Sequence, residues 1–238
     1  MSLISSNLQA VRDDLRAAAL ACGRDPQRIA LLAVSKTFDA QAVIDAASTG
    51  QSAFGENYLQ EALEKMQLVH SLRPDLLLEW HFIGPIQSNK TRQIAEHFDW
   101  VHSVDRDKIA NRLSEQRPAS KPPLNICLQV NISCESSKSG VMPDEALALA
   151  QHIAQLPHLR LRGLMAVPEA TEDELHQSQP FRELRELQEK IQTALLPSGI
   201  TLDTLSMGMS ADRHAAIAEG STMVRIGSAI FGKRAYAK

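Results

Sequence analysis

The 238-residue sequence lacks the features that mark membrane, secreted and nucleic-acid-binding proteins. No apolar run approaches the ~20 residues that a transmembrane helix needs. The three cysteines form no C-x-x-C motif, and their odd number suits a reducing compartment. The formal net charge of -3 gives no reason to expect nucleic acid or an anionic membrane as a partner. We therefore expect a cytoplasmic protein with neither kind of partner.

Histidine spacing excludes the common metal motifs. The eight histidines form neither H-x-x-x-H nor H-E-x-x-H, so we expect no metal site. What remains is an ordinary globular composition, 44% hydrophobic and 22% charged, which is sufficient for a well-buried core.

Short apolar runs alternate with longer amphipathic segments along the chain. The predicted strands are 30–34, 52–54, 80–83, 100–103, 125–131, 160–166, 204–206 and 223–226. The predicted helices are 3–22, 39–49, 58–70, 88–97, 106–116, 143–155, 172–195 and 211–219. Eight strands separated by helices predict an α/β fold, a single (β/α)8 TIM-like barrel with an extra N-terminal helix. A doubly wound open sheet is the alternative.

A single domain covering residues 1–238 fits this pattern best. The proline-rich patch at 117–123 is short and is typical of a loop rather than a boundary between domains. Pro143 stands where proline commonly opens a helix.

Lys36 closes the first predicted strand. The preceding run, Ile29 to Ser35, is apolar and typical of a buried parallel strand. Such folds place their chemistry at the C-terminal ends of strands, where a desolvated amine is a nucleophile toward an aldehyde. The alternative is a lysine that simply reaches into water.

Two glycine-containing loops follow the last two predicted strands. Gly208 and Ser210 lie in the first loop, and Gly227 and Ser228 lie in the second. Barrels commonly build a phosphate site there from glycines, hydroxyls and backbone N–H groups. The simpler alternative makes Ser210 a helix N-cap and Gly227 a strand-ending turn. Two such loops side by side favour a phosphate site.

Arg225 lies within the last predicted strand. Alternation places it on the face opposite to Val224 and Ile226, toward the barrel interior. A lysine, a phosphate site and an arginine at one barrel mouth together suggest pyridoxal 5′-phosphate (PLP) as cofactor. Because arginine cannot accept a proton, it would leave the pyridine nitrogen unprotonated. That pairing favours holding the cofactor over demanding carbanion chemistry.

The motifs together resemble the YggS/PROSC family of PLP homeostasis proteins, relatives of the barrel domain of alanine racemase. The resemblance rests on segments in family order along nearly the whole chain: 32–36, 54–58, 80–84, 87–90, 130–132 with Glu135, Lys138 and Gly140, 162–165 and 208–232.

The resemblance implies a role for each site residue. Lys36 would form the Schiff base, and the phosphate would be bound by Ser210, Gly227 and Ser228. Arg225 would face the pyridine nitrogen. The pocket would be lined by Asn57, His81 and Met165.

The resemblance also implies a non-catalytic PLP carrier. Such a protein would limit the free aldehyde and deliver the cofactor to apo PLP-dependent enzymes, and we expect a monomer. The alternative is a PLP-dependent amino-acid racemase, which needs acid/base groups on both faces of the cofactor. In alanine racemases the second group is a tyrosine from an additional β-domain, whereas this sequence has two tyrosines and stops soon after its eighth predicted strand. A phosphate-binding barrel for another metabolite is a third class, but it leaves Lys36 unexplained.

Some charged residues have no assigned role. Arg213 and His214 depart from the family pattern, and either lie on an exposed helix face or draw an anion toward the mouth. Glu135 and Lys138 form either a lid contact or a surface ion pair. Lys233 and Arg234, in the tail, are either solvated or assist cofactor transfer.

Overall fold

A computed structural model of the protein describes residues 2–135, 137–169 and 173–232. Its eight strands form a closed barrel in which each strand pairs with the next and β8 pairs with β1, all in parallel. The strands are β1 (Ala30–Val34), β2 (Ala53–Glu56), β3 (Glu79–Phe82), β4 (Trp100–Val104), β5 (Leu124–Gln129), β6 (Leu159–Met165), β7 (Thr204–Ser206) and β8 (Met223–Ile226). The predicted barrel is confirmed, and the open-sheet alternative is wrong.

The helices surround the barrel. They are α1 (Leu3–Ala21), α2 (Ala40–Ala47), α3 (Leu59–Leu72), α4 (Thr91–His97), α5 (Asp107–Gln116), α6 (Ala146–Ala154), α7 (Glu174–Leu195), α8 (Arg213–Ala218) and α9 (Ser228–Phe231). The extra N-terminal helix is α1, which ends before Gly23, a residue with φ +70°. No described helix combines the length and the hydropathy that spanning a bilayer requires.

Alternation along the strands divides the buried side chains between two regions. Val224 and Ile226 belong to the large core between the sheet and the helices. Trp100, Cys127 and Met165 instead form a small cluster of their own. A barrel covered by helices must bury both faces of its sheet, and this explains the apolar strands.

Helices α4 and α6 both begin three residues later than predicted, at Thr91 and Ala146. Helix α6 begins at Ala146, so the expectation that Pro143 opens it is wrong. Residues 130 and 141 form an isolated bridge, and Val141 N–H donates to Gln129. The chain therefore follows the end of β5 before it can turn into the helix. The predicted start of α7 at Glu172 lies outside the described residues, and the short helix α9 was not predicted.

Candidate functional site

Lys36 stands two residues beyond the end of β1, in a half-buried position. The next residue, Thr37, has φ +69°, a conformation that a β-branched side chain rarely adopts. The turn is closed by a hydrogen bond from Phe38 N–H to the carbonyl of Ser35, 3.1 Å. Strained backbone of this kind persists only where its surroundings hold it in place.

A buried ion pair supplies that support. Lys65, on α3, donates to Oε1 of Glu56 at 2.7 Å and to the carbonyl of Ser35 at 2.8 Å. Ser35 Oγ donates to the same carboxylate oxygen at 2.6 Å, and Glu61 Oε1 accepts from Thr37 N–H at 2.6 Å. Burial raises the pKa of Glu56, and the charge of Lys65 opposes that rise. These contacts fix the backbone on both sides of Lys36.

The loop after β7 makes a close turn at Gly208, whose φ is +93°. Its carbonyl accepts from Arg225 N–H at 2.9 Å, which ties the loop to β8. Ser210 is half-buried in the same loop. The simpler alternative, in which Ser210 is the N-cap of the following helix, is wrong. The helix begins at Arg213, with Asp212 as its N-cap residue. The Asp212 carboxylate instead accepts from Met209 N–H within the loop, 2.5 Å.

The second loop lies against the end of β1. A Cβ on Gly227 would stand 3.0 Å from the carbonyl oxygen of Val34, two residues before Lys36. Ser228 follows as the exposed first residue of α9. Strand pairing of β7 with β8, and of β8 with β1, therefore brings both glycine loops beside the end of the lysine-bearing strand.

Arg225 is buried inside the barrel, as alternation predicts. Its Nη1 donates to the carbonyl and to Oγ of Ser206, the latter at 2.9 Å, and its Nη2 donates to the carbonyl of Ala166 at 2.9 Å. Burial lowers the pKa of Arg225 to about 10, so the guanidinium stays charged at neutral pH. These contacts place a fixed cation between the ends of β6, β7 and β8.

The three predicted pocket residues, Asn57, His81 and Met165, differ in the contacts that their side chains make. Asn57 follows β2 directly, and its Oδ1 is buried without a hydrogen-bond partner among the described residues. Met165, the last residue of β6, packs with Trp100 and Cys127. His81 is fully buried on β3, and both of its ring nitrogens are hydrogen-bonded to other side chains. Only Asn57 therefore shows an unused hydrogen-bonding group.

Arg213 and His214 both contact α1. Arg213 Nε donates to Asp14 at 2.5 Å, and Arg213 Nη1 donates to the carbonyl of Ser210. His214 Nε2 lies 3.1 Å from the same carboxylate. Hydrogen bonding to Arg213 lowers the pKa of Asp14. Arg213 thus connects the first helix to the Ser210 loop, a role that neither sequence interpretation foresaw.

Of the four remaining charged candidates, the structure describes two. Glu135 and Lys138 form an ion pair at 2.7 Å with both side chains partly exposed. Lys233 and Arg234 lie outside the described residues, as does Tyr236, one of the two tyrosines of the sequence. In the part of the chain that the structure describes, no three His, Cys, Asp or Glu side chains are grouped to hold a metal ion.

Gly208→Ala should lower the free energy of unfolding by about 1–3 kcal/mol more than Gly199→Ala. Both glycines have positive φ, +93° and +71°, so both variants carry backbone strain. Only at Gly208 would the new Cβ meet another atom, the Cβ of Ala216 at 2.6 Å. Urea unfolding of both variants measures the difference. Equal losses would show that close packing at Gly208 does not constrain the loop.

Comparison with known proteins gives the same family along the whole chain. The family described as alanine racemase, N-terminal domain, matches residues 6–235. The pyridoxal phosphate homeostasis protein of Pseudomonas aeruginosa is 60% identical over 236 residues, 99% of this chain and 98% of the relative. The protein of the same name from Escherichia coli K12 is 52% identical, and the match covers 100% of both chains.

Solved structures also resemble this chain. PipY of Synechococcus elongatus, solved with PLP bound, is 33% identical with a TM-score of 0.81, covering 96% of this chain and 100% of that chain. Alanine racemase from Corynebacterium glutamicum is 17% identical with a TM-score of 0.65, covering 99% of this chain and 62% of that chain, a likeness of fold alone. This chain belongs to the YggS/PROSC family of pyridoxal phosphate homeostasis proteins.

Proposed function

We propose that this protein binds PLP as a Schiff base on Lys36 and serves intracellular PLP homeostasis without catalysing a reaction. One observation carries the proposal: the barrel brings the lysine-bearing end of β1, both glycine loops and the Arg225 guanidinium to the same mouth. The names of the curated relatives and the PLP-bound PipY structure support it.

The residues present fit this cofactor. Both glycines allow close packing of the backbone, since a Cβ on Gly208 would meet that of Ala216 and a Cβ on Gly227 would meet the carbonyl oxygen of Val34. The backbone N–H groups of these two loops would donate to the phosphate. The hydroxyls of Ser210 and Ser228 would add donors beside that backbone. Asn57 Oδ1 offers a buried acceptor that the described residues leave unused. His81 and Met165 would close the pocket from within the barrel.

Arg225 bears on the choice between carrier and enzyme. PLP supplies an aldehyde for the lysine amine and, when its ring nitrogen is protonated, an electron sink. A guanidinium that stays charged at neutral pH would donate a hydrogen bond to that nitrogen and would keep its own proton. The arrangement favours retention of the cofactor over carbanion chemistry.

A PLP-dependent racemase is the second candidate, suggested by the alanine racemase domain family. Racemisation needs an acid/base group on each face of the cofactor. Tyr58, the tyrosine that the structure describes, has 55% of its surface exposed at the start of α3. We propose the carrier because the curated relatives are named as homeostasis proteins and because a guanidinium is a poor proton donor to the ring nitrogen.

We also propose that the whole chain, residues 1–238, forms one PLP-binding domain that is active as a monomer in the cytoplasm. Apo PLP-dependent enzymes would receive the cofactor from it. Free thiols at all three cysteines support a reducing compartment.

Titration of cofactor-free protein with PLP tests the proposal. We expect a visible absorption band that borohydride bleaches, with no racemisation of alanine by the loaded protein. A protein that cannot be charged with PLP would contradict binding. Racemase activity that disappears in Lys36→Ala would instead establish the enzyme.

A further inference from the structure

Five polar side chains form a continuous hydrogen-bonded series inside the barrel, here called the interior network. Glu79 Oε1 lies 2.8 Å from Nε2 of His81, whose Nδ1 lies 2.9 Å from Nε2 of His102. Nδ1 of His102 lies 2.8 Å from Oγ of Ser206, which accepts from Arg225 Nη1 at 2.9 Å. The network joins β3, β4, β7 and β8 and ends at the arginine of the proposed cofactor site.

The network spans the barrel from one end to the other. Glu79 is the first residue of β3, and 48% of its side chain is exposed. It lines a cavity of about 460 Å³ shared with Asp99, Asn125 and Arg160, which lie at the N-terminal ends of neighbouring strands. The three middle members are buried, with 0% of their surface exposed. Solvent therefore reaches one end of the network, while the other end is Arg225.

The two ends fix the direction of every hydrogen bond. A carboxylate only accepts, and a guanidinium only donates. With neutral histidines, His81 must donate from Nε2 to Glu79, so its Nδ1 accepts from Nε2–H of His102. Nδ1 of His102 then accepts from the hydroxyl of Ser206, which leaves the Ser206 oxygen to accept from Arg225. In this arrangement each contact between two members of the network pairs one donor with one acceptor.

The reversed direction is unfavourable. If each histidine donated from Nδ1, His81 would have to carry protons on both nitrogens, because Glu79 can only accept. His102 Nδ1 would then donate to Ser206, and the Ser206 hydroxyl would lose the acceptor it has in the first arrangement. A buried charge and a lost hydrogen bond both cost free energy. Burial lowers the pKa of His81 and of His102, although Glu79 opposes the shift at His81. Both imidazoles are therefore neutral at physiological pH.

Ionisable groups on the surrounding elements shift the pKa values of the network residues. Asp99 favours protonation of His81, whereas the Arg225 charge disfavours protonation of His102. The hydrogen bond to His81 lowers the pKa of Glu79 against the effect of burial, and the charge of Arg162, on β6, adds to that lowering. Cys127, on β5, has a pKa raised by burial to about 12 and stays a neutral thiol. Glu79, the solvent-side end, therefore keeps its negative charge and can only accept a hydrogen bond. This holds both histidines neutral and keeps all the hydrogen bonds in the same direction.

We propose that the interior network positions Arg225, so that its guanidinium meets the ring nitrogen of PLP in one fixed orientation. This inference rests on the proposed function. Because the Ser206 hydroxyl donates to His102, its oxygen accepts from Arg225 and adds a side-chain contact to the two backbone carbonyls, of Ser206 and Ala166, that also hold the guanidinium. Glu79, His81, His102 and Ser206 are thus positioning residues rather than catalytic ones.

Nitrogen NMR of the cofactor-free protein tests the network directly. A long-range ¹H–¹⁵N spectrum of uniformly ¹⁵N-labelled protein reports which ring nitrogen of each histidine carries its proton. We expect His81 and His102 to be neutral Nε2–H tautomers that do not titrate between about pH 6 and pH 8, on either side of the ordinary histidine pKa. An Nδ1–H tautomer or a titrating signal at either residue would overturn the proposed direction.

Two variants of β7 test the consequence for the cofactor. Ser206→Ala removes the hydroxyl next to Arg225, and Thr204→Val removes a buried hydroxyl that donates to Asp203, outside the network. We expect the visible band of PLP-loaded Ser206→Ala to change its pH midpoint by about one unit or more, as for loss of one hydrogen bond to a charged group. Thr204→Val should match the wild-type protein.

The outcomes separate the two proposals. Identical spectra and pH midpoints for loaded Ser206→Ala and wild-type protein would overturn the positioning role while leaving PLP binding intact. A wild-type protein without a visible band would overturn both the proposed function and the role of Arg225. The tautomers measured without cofactor would still decide whether the network exists as described, even if Ser206→Ala fails to fold.

Discussion

Lys65→Met should lower the free energy of unfolding by about 3–5 kcal/mol, the loss typical of removing one partner from a buried ion pair. Lys65 and Glu56 are 5% and 0% exposed, so water cannot replace the missing ammonium. Oε2 of Glu56 already has no hydrogen-bond partner among the described residues. Urea unfolding at neutral pH measures the loss, with exposed Lys108→Met as the matched control.

The loss should also depend on pH. Burial raises the pKa of Glu56 in the folded protein, and the Lys65 charge opposes that rise. A carboxyl whose pKa is higher in the folded protein than in the unfolded chain binds its proton more tightly in the folded state. Its ionisation therefore disfavours folding, and this effect grows as the pH rises above ~4.3, the ordinary pKa of glutamate. The Lys65→Met defect should therefore be larger at neutral pH than near pH 5.

Glu56→Gln in the Lys65→Met background provides the second control. It removes the uncompensated charge, so the double variant should be more stable than Lys65→Met alone. A Lys65→Met protein as stable as the wild type at neutral pH would contradict the support proposed for the Lys36 turn.

Lys36→Ala should weaken the affinity for PLP by about tenfold or more, because only noncovalent contacts, chiefly those of the phosphate loops, would then hold the cofactor. The free energy of unfolding should change by less than about 0.5 kcal/mol, since Lys36 is only half-buried and follows the strand. Equilibrium titration followed by absorbance measures the affinity.

Exposed Lys108→Ala, on α5, is the matched control and should bind as the wild type does. Unchanged affinity in Lys36→Ala would show that Lys36 contributes nothing to binding. A large loss of stability would instead assign the lysine a structural role.

Most of the fold could be predicted from the sequence because local pattern determines it. All eight strands were found, since each is a short apolar run that a helix-covered barrel buries on both faces. Errors occur where tertiary contacts override local signals. Pro143 resembles a helix start, yet pairing near Val141 keeps the chain extended. The four-residue helix α9 is too short to produce a periodic pattern.

The candidate site was predicted unevenly for the same reason. Lys36 and Arg225 follow from strand ends and alternation, which are local. Lys65 left a weak signal, because it falls in phase with the buried positions Ala62 and Val69 on α3.

The contact of Asp14 with Arg213 joins residues 199 positions apart, and no local pattern reports it. The pairing of His81 with His102 is similar, since it depends on the register of β3 against β4.

Borohydride reduction of the PLP-loaded protein, followed by peptide mapping with mass spectrometry, tests the central proposal most directly. Reduction converts the Schiff base into a stable bond, so the modified lysine can be located in the sequence. We predict that the wild-type protein carries the reduced cofactor on Lys36. Modification of a different lysine, or of none, would contradict the assignment of Lys36 as the residue that holds PLP.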